Sequence, residues 1–449
     1  MPSPVLCWFR QDLRLTDNPA WSAACQSGAQ ILPVYILDDT SAKDWKMGGA
    51  SRVWLHHSLK SLNKSLNGNL LILSGNAEKL IPALASQIKA DKIFWNRCYE
   101  PWRIARDTKI KDICEQNNVG CISSNGSLLW EPWEIKKQDG TPYKVFTPYF
   151  RKGCLSAPPP RSPLPSPKLP NFFPHSNASI DNIFETQNLL PKHPHWDRSM
   201  MSYWSVGETA AQKKLKDFLE NKLQGYKEGR NYPKRNQTSL LSPHLHFGEI
   251  SPNQIWHAAT LFGLTTQQTI DLDCFQSELA WREFSHTLLY YNPTLAEKPL
   301  NPKFENFDWA GIDNEQLERW QKGETGFPIV DAGMRELWAT GYMHNRVRMI
   351  TASFLIKDLR YHWRVGEEWF WDTLVDANLA NNAASWQWVA GCGADAAPYF
   401  RIFNPTTQGE KFDLDQTYIN KWAPDSHKIK PMLNHKKARE RALESYSNL

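Results

Sequence analysis

Hydrophobic runs alternate with amphipathic segments along the first 130 residues of the chain. Four runs predict buried strands: VLCWF (5–9), ILPVYILD (31–38), LLILSG (70–75) and KIFWN (92–96). Between these runs apolar positions recur about every 3.6 residues, as over residues 51–66, which predicts helices. Asp17-Asn18-Pro19 is typical of a helix start. We therefore predict that residues 1–130 form an α/β domain with a doubly wound parallel sheet.

The hydrophobic pattern changes twice beyond this domain. Eight prolines between residues 158 and 174 indicate a loop-like connection, and we assign residues 131–205 to an interdomain linker. From Glu208 onward the strand signals end. Helical periodicity marks the segments 210–223, 266–291, 331–363 and 367–382. Residues 206–449 are therefore predicted to form an all-α domain.

Composition limits the class of protein. The length of 449 residues favours two domains, and a net charge of +5 permits a local basic patch without requiring nucleic-acid binding. The eight cysteines form no CxxC pair, which argues against a zinc or iron–sulfur site. The chain opens without a signal-peptide run and contains no apolar stretch long enough to span a membrane. We expect an intracellular protein that does not act at a membrane.

Two helical segments carry polar groups within an apolar pattern. SELAWREF (277–284) places Glu278, Trp281 and Arg282 on one helical face, although an ordinary Glu278–Arg282 ion pair on a solvated face would give the same pattern. MHNRVRMI (343–350) places Asn345 and Met349 on a shared face, which an amide in the core beside a gap-filling methionine would also explain.

Two further stretches combine hydrogen-bonding groups with aromatic or turn residues. NNAASWQWVAG (381–391) holds two amides and two indoles, and follows Asp376 and Asn378. A tryptophan-rich core and a ligand site are both consistent with this stretch. TSLLSPHLHFGEIS (238–251) offers hydroxyls that either cap a helix or bind an anion at a helix start.

The order of these motifs resembles that of the cryptochrome/photolyase family over nearly the whole chain. WFRQDLRLTDNPA (8–20) resembles the opening of that family. SELAWREF, residues 325–359, ANNAASWQW (380–388) and residues 395–413 resemble the core of its flavin domain. The resemblance implies an α/β antenna domain, a linker and an all-α C-terminal domain that binds FAD. It is strongest to bacterial-type photolyases that act on cyclobutane pyrimidine dimers.

Matching positions imply the residues that hold the cofactor. The FAD-binding set is Tyr226, Thr238, Ser239, Leu240, Ser242, Phe275, Glu278, Arg282, Asn345, Arg348, Asp376, Asn378 and Asn382. Asn382 corresponds to the residue that faces the reactive flavin nitrogen, and Asn378 stands where many relatives have Asp. Trp386, Trp363 and Trp309 match the tryptophans that relay electrons to the flavin, from inner to outer.

The resemblance also implies an activity, namely light-driven repair of pyrimidine dimers in DNA by an electron from excited reduced FAD. Glu278, Asn345 and Met349 would contact a dimer flipped out of the duplex, and Trp281 and Trp388 would wall its pocket. Positions near the lesion strand add the DNA-binding residues Arg230, Arg346 and Arg401. The predicted enzyme is a deoxyribodipyrimidine photolyase, a carbon–carbon lyase that works as a monomer.

Two other functions within the family remain open. A six-four photolyase is expected to carry a histidine pair at Asn345 and Met349, which this chain lacks. A cryptochrome would be a blue-light photoreceptor without repair activity, commonly with a long tail, whereas 27 residues follow Trp422 here. The repair enzyme is the favoured function.

A second, antenna chromophore is a further expectation. Residues 48–59 and 95–107 should line its pocket. Trp102 and Arg103 replace the Asn-Glu pair of the best-known folate-binding relatives, and Arg52 matches a position used by deazaflavin-binding relatives. A deazaflavin, a methenyltetrahydrofolate held differently, or no antenna all remain possible.

Overall fold

The structure is a computed structural model that describes residues 2–175 and 189–449. Residues 176–188 of the predicted 131–205 linker lie outside the described residues, and the predicted domain limits stay predictions.

Five parallel strands form the sheet of the N-terminal half. They are β1 (Val5–Phe9), β2 (Ile31–Leu37), β3 (Leu71–Ser74), β4 (Lys92–Asn96) and β5 (Gly120–Ser124), in the order β3-β2-β1-β4-β5. The prediction of a doubly wound parallel sheet is confirmed. The strand β5 was not predicted, because GCISS contains too few apolar residues and lies half-exposed at the sheet edge.

Helices cover both faces of this sheet, which explains why β1 and β2 are buried along their whole length. The helices are α1 (Pro19–Gln26), α2 (Asp39–Ala42), α3 (Gly49–Ser65), α4 (Ala77–Ile88) and α5 (Pro101–Gln116). Successive residues of β1 alternate between two cores: Cys7 and Phe9 belong to one, and Leu6 and Trp8 to the other. The predicted start of α1 is confirmed, since the Asn18 side chain accepts a hydrogen bond from the Trp21 N–H at 3.0 Å.

The described part of the chain beyond β5 is helical, and residues 208–449, all of them described, contain no strand. Its helices are α6 (Phe146–Pro148), α7 (Trp196–Met201), α8 (Glu208–Asn221), α9 (Tyr226–Gly229), α10 (Ser242–His246), α11 (Pro252–Thr265), α12 (Thr269–Tyr291), α13 (Asn314–Lys322), α14 (Pro328–Thr340), α15 (Asn345–Ser353), α16 (Trp363–Thr373), α17 (Leu379–Ala390), α18 (Pro405–Phe412), α19 (Thr417–Trp422) and α20 (His435–Ser447). The predicted all-α domain is confirmed. Within the described ranges no helix combines the length and the apolar character that crossing a membrane requires.

Two of the predicted helical segments were wrong as continuous helices. The 331–363 segment breaks after α14, where Gly341 adopts a left-handed φ of 67° and His344 caps α15. The 367–382 segment breaks between α16 and α17, where the Asn378 side chain accepts a hydrogen bond from the Asn381 N–H at 3.1 Å. Both breaks place polar side chains and the backbone of a turn at the cavity described below.

Candidate functional site

A cavity of about 580 Å³ opens among α9, α10, α12, α15 and α17. Its size lies within the range of roughly 300–1,000 Å³ that is typical of sites for organic ligands. Seventeen of the predicted site residues line it: Tyr226, Arg230, Ser239, Ser242, Phe275, Glu278, Trp281, Arg282, Asn345, Arg346, Arg348, Met349, Asp376, Asn378, Asn382, Trp386 and Trp388.

Five predicted site residues lie outside the cavity lining. Thr238 and Leu240 flank the lining residue Ser239, and Leu240 has a left-handed φ of 52°. Trp363 is fully buried in the core beside the cavity, whereas Trp309 is partly exposed. Arg401 is exposed on a loop that follows α17. The structure therefore does not bring these five into the cavity wall.

The predicted polar face of α12 lies on the cavity. Its charged residues do not form the Glu278–Arg282 ion pair that the sequence also allowed. Glu278 Oε2 forms an ion pair with Arg230 Nη2 at 2.6 Å, at the end of α9. Arg282 Nη1 instead pairs with Glu283 Oε1 at 2.8 Å. Burial raises the pKa of Glu278, and the neighbouring Arg230 acts in the opposite direction. The carboxyl group of Glu278 is thus held by a residue from another segment, rather than by its own helix.

Asp376 joins three segments of the chain at the cavity wall. It lies in the turn between α16 and α17, and its Oδ2 accepts hydrogen bonds from Ser242 Oγ at 2.6 Å and Arg348 Nη2 at 2.9 Å. Arg348 Nε also donates to the Met343 carbonyl at 2.7 Å, which fixes its guanidinium plane. The predicted pair of Arg348 and Asp376 is therefore present in the structure.

Asn382 reaches the cavity from the first turn of α17. Its Nδ2 donates to the Glu367 carbonyl on α16 at 2.9 Å. This bond directs the amino end of the amide towards α16, which leaves the oxygen end for a ligand in the cavity.

The three predicted relay tryptophans lie along α16, α17 and the loop before α13. The Trp386 ring packs 4.9 Å from that of Phe370, measured between centroids, and is 2% exposed. The His362 ring lies 5.4 Å from Trp363 and 5.1 Å from Trp309. One imidazole therefore contacts both of the outer indoles.

Several lining residues were not predicted from the sequence, among them the polar residues Asn231, His246 and Asn381. His246 is buried, its Nδ1 has no hydrogen-bond partner in the described part of the chain, and burial lowers its pKa to about 4. Its position four residues after Ser242 could have indicated a shared face. No local pattern could have indicated Asn231, because its partner Arg346 lies 115 residues away.

A second, smaller cavity of about 60 Å³ lies where the carboxyl ends of β1 and β2 and the start of α5 meet the helical half. Ligands of doubly wound sheets bind outside the carboxyl ends of the strands. The predicted antenna segments contribute Leu55, Glu100, Trp102, Arg103 and Arg106 to its wall, and His246 and Ala377 line both cavities. Arg52 does not line it, but its guanidinium pairs at 2.6 Å with Asp39, which does. No group of His, Cys, Asp or Glu side chains suited to a metal ion occurs in residues 2–175 and 189–449.

The comparisons with known proteins agree with this geometry. Residues 5–168 match the family model described as DNA photolyase, and residues 275–447 match that of the FAD binding domain of DNA photolyase. The deoxyribodipyrimidine photo-lyase of Agrobacterium fabrum is 44% identical across 99% of this chain and 98% of that protein. The crystal structure of a class III photolyase from Agrobacterium tumefaciens is 43% identical, with a TM-score of 0.93, and covers 100% of this chain and 98% of its own.

A second solved structure extends the match to archaea. The photolyase of Sulfolobus tokodaii, described as having two FAD molecules that imply a novel light-harvesting cofactor, is 29% identical. It has a TM-score of 0.83 and covers 99% of this chain and 100% of its own. Since the resemblance, the folds of both halves and the match to these relatives agree across the whole chain, the protein belongs to the cryptochrome/photolyase family.

Proposed function

We propose that this protein is a deoxyribodipyrimidine photolyase that uses FAD and light to repair cyclobutane pyrimidine dimers in DNA. One observation carries the proposal: a single cavity is lined both by the residues expected to hold the flavin and by those expected to contact the dimer. Bound reduced FAD supplies the light-driven one-electron chemistry, and the protein supplies binding, orientation and exclusion of water.

The cavity has the polar groups that a flavin dinucleotide requires. Arg282 and Ser239 would hold its phosphates, and Arg348, Asp376 and Asn382 would hold the flavin ring. The buried and unpartnered Nδ1 of His246 is a polar atom that a ligand with hydrogen-bonding groups would satisfy. The five-residue helix α10 is too short to act as an anion site through its dipole, so side chains and loop backbone must bind the phosphates.

The dimer would enter beside Glu278, Asn345 and Met349. Flipping a dimer out of the stack costs a few kcal/mol, and less for a lesion that already distorts the duplex. Burial raises the pKa of Glu278 and Arg230 opposes this shift; the carboxyl group would donate a hydrogen bond to a pyrimidine carbonyl when protonated and accept one from a ring N–H when ionised. Trp281, which stacks on Phe146 at 3.8 Å, would present a rigid apolar wall.

Arginines at the mouth of the cavity would bind the DNA backbone. Arg346 lines the cavity and Arg230 is fixed by Glu278, while Arg401 is exposed on its loop. Contacts between arginine and phosphate make the affinity for DNA fall as salt rises.

The relay of Trp386, Trp363 and Trp309 would return the flavin to its reduced state. Trp386 lines the cavity and Trp309 is partly exposed, so the set leads from the cofactor towards solvent.

An antenna chromophore, either a deazaflavin or a methenyltetrahydrofolate, would bind at the second cavity. The guanidinium of Arg103 lies 4.8 Å from the Trp102 ring centroid, and that of Arg106 lies 4.7 Å from Trp8, a setting suited to a planar anionic ring. The present volume of about 60 Å³ is too small for either molecule, so the cavity walls would have to move. Absorption spectra of the purified protein, before and after its chromophores are released, will identify what is bound.

The repair function is tested with DNA that contains one thymine dimer, illuminated with the FAD-loaded protein. Glu278→Ala should retain FAD but lower the quantum yield of dimer splitting, since losing a buried polar partner costs about 1–3 kcal/mol. Glu278→Gln keeps the shape of the side chain and the contact with Arg230, and therefore separates charge from packing. Glu115→Ala, an exposed substitution on α5, serves as the control.

DNA with a six-four photoproduct is the second substrate. Repair of only this substrate would show a six-four photolyase. No repair of either substrate by protein that holds fully reduced FAD would favour the photoreceptor.

A further inference from the structure

We propose that Asn231 is a positioning residue, which holds the guanidinium of Arg346 at the cavity mouth in the orientation that binds a DNA phosphate beside the dimer. The inference rests on the proposed function and assigns a role to a residue that no motif indicated.

The contact spans two distant segments of the chain. Arg346 Nη2, on the first turn of α15, donates a hydrogen bond of 2.6 Å to Asn231 Oδ1, in the loop after α9. Both residues line the cavity, so this bond crosses its mouth. It is short because one partner is charged.

The amide of Asn231 is itself held in place. Its Nδ2 donates to the carbonyls of Lys227 and Glu228, at 3.2 Å each. A carbonyl oxygen can only accept a hydrogen bond, so the NH2 end of the Asn231 amide must face α9. The amide oxygen then faces Arg346. The backbone of one helical turn thereby sets the direction of a side chain on another helix.

The charge of Arg346 is left available, unlike that of its neighbours. Arg230 and Arg348 pair with the carboxylates of Glu278 and Asp376. In the described part of the chain, the partners of Arg346 are an amide, a thioether and an aromatic ring.

The remaining partners confine the guanidinium without neutralising it. Its Nη1 lies 3.8 Å from Met349 Sδ, and its Cζ lies 4.5 Å from the centroid of the Phe412 ring. Burial and the nearby Arg230 both lower the pKa of Arg346, so an approaching anion would relieve the unfavourable setting of this cation. A neutral amide at position 231 orients the cation, whereas a carboxylate would compensate its charge.

The experiment is a double-mutant cycle in the affinity for dimer-containing DNA, measured with FAD-loaded protein over a series of salt concentrations. Asn231→Ala should weaken binding about tenfold, the scale of one hydrogen bond to a charged group. In an Arg346→Ala background the same substitution should have almost no effect. Asn221→Ala, at an exposed amide on α8, is the matched control and should bind as the parent does.

Asn231→Asp removes the donor to the Lys227 and Glu228 carbonyls and places a negative charge beside Arg346. The carboxylate can still accept a hydrogen bond from the guanidinium but compensates its charge, so the slope of log affinity against log salt should fall by roughly one unit, as for loss of one phosphate contact. FAD content and melting temperature are measured for every Asn231 variant, so that loss of cofactor or of fold is distinguished from loss of DNA affinity.

The outcomes distinguish the inference from the proposed function. If Arg346→Ala leaves the affinity and the salt slope unchanged, Arg346 does not contact DNA and that part of the proposed function fails. If Arg346→Ala weakens binding but Asn231→Ala does not, or the two losses simply add, Asn231 does not position Arg346 and only the inference fails.

Discussion

Gly366, on α16, lies directly against the ring of Trp386, the innermost tryptophan of the proposed relay. A methyl group added at Gly366 would lie 2.6 Å from Cζ2 of Trp386 and closer still to Cη2 and Cζ3, whereas ordinary contacts begin at 3.4 Å. Trp386 is 2% exposed and packs on Phe370, so its ring could move only towards the cavity that it lines, which bound FAD would fill. Gly366→Ala must therefore displace Trp386 or bend α16.

The magnitude follows from two opposing effects. Replacing glycine by alanine inside a helix stabilises it by about 0.5–1 kcal/mol. Overpacking a close-packed core costs about 1–3 kcal/mol, occasionally more. We expect Gly366→Ala to lower the free energy of unfolding by about 1–2 kcal/mol.

Gly409→Ala is the matched control. This glycine also lies buried inside a helix, α18, but a methyl group there would meet Ile329 at 3.7 Å, an ordinary contact distance. Gly409→Ala should therefore stabilise the protein by about 0.5–1 kcal/mol.

The assay is guanidinium chloride unfolding of the parent and both variants, followed by the rate at which light and an external donor reduce the flavin. We expect Gly366→Ala to unfold at lower denaturant and to photoreduce more slowly than Gly409→Ala. If the two variants are equally stable and photoreduce at the parent rate, the packing of Trp386 on α16 described here is wrong.

Three other predictions concern the cavity wall and the helical core. Trp386→Phe should retain FAD but lose fast photoreduction, and a rate equal to that of the parent, measured by flavin absorbance, would remove Trp386 from the relay. Asp376→Asn should release FAD more readily because it removes the charge that pairs with Arg348, and an unchanged ratio of flavin to protein absorbance would contradict this role. Burial raises the pKa of Glu336 to about 7, so its contribution to stability is present below its usual pKa of 4.5 and is lost as the pH rises through 7. Melting temperatures should therefore favour Glu336→Gln increasingly over the parent between pH 5 and pH 8, and a constant difference would disprove the shift.

The candidate site was predictable as a set of residues but not as a set of contacts. The helical spacing of Glu278, Trp281 and Arg282 was enough to place them on one face, because periodicity is a property of a single helix. The partner of Glu278 was not predictable, because Arg230 comes from another helix and competes with the nearer Arg282 only after the helices pack. The contact between Asn231 and Arg346 was not predictable for the same reason, because the two residues lie in distant segments of the chain.

The sequence by itself determined the fold class, the family and half of the cavity lining, since alternating apolar runs, helical periodicity and ordered motifs are local features of the chain. Only the tertiary structure showed where the helices break. The turn between α16 and α17 allows Asp376 to accept hydrogen bonds from Ser242 and Arg348, which belong to two other segments. Only the tertiary structure showed that β5 pairs with β4 at the sheet edge. This strand is defined by its backbone hydrogen bonds to β4, because its sequence lacks a hydrophobic run. Contacts between distant segments depend on how elements pack against one another, and no pattern within a single segment records that packing.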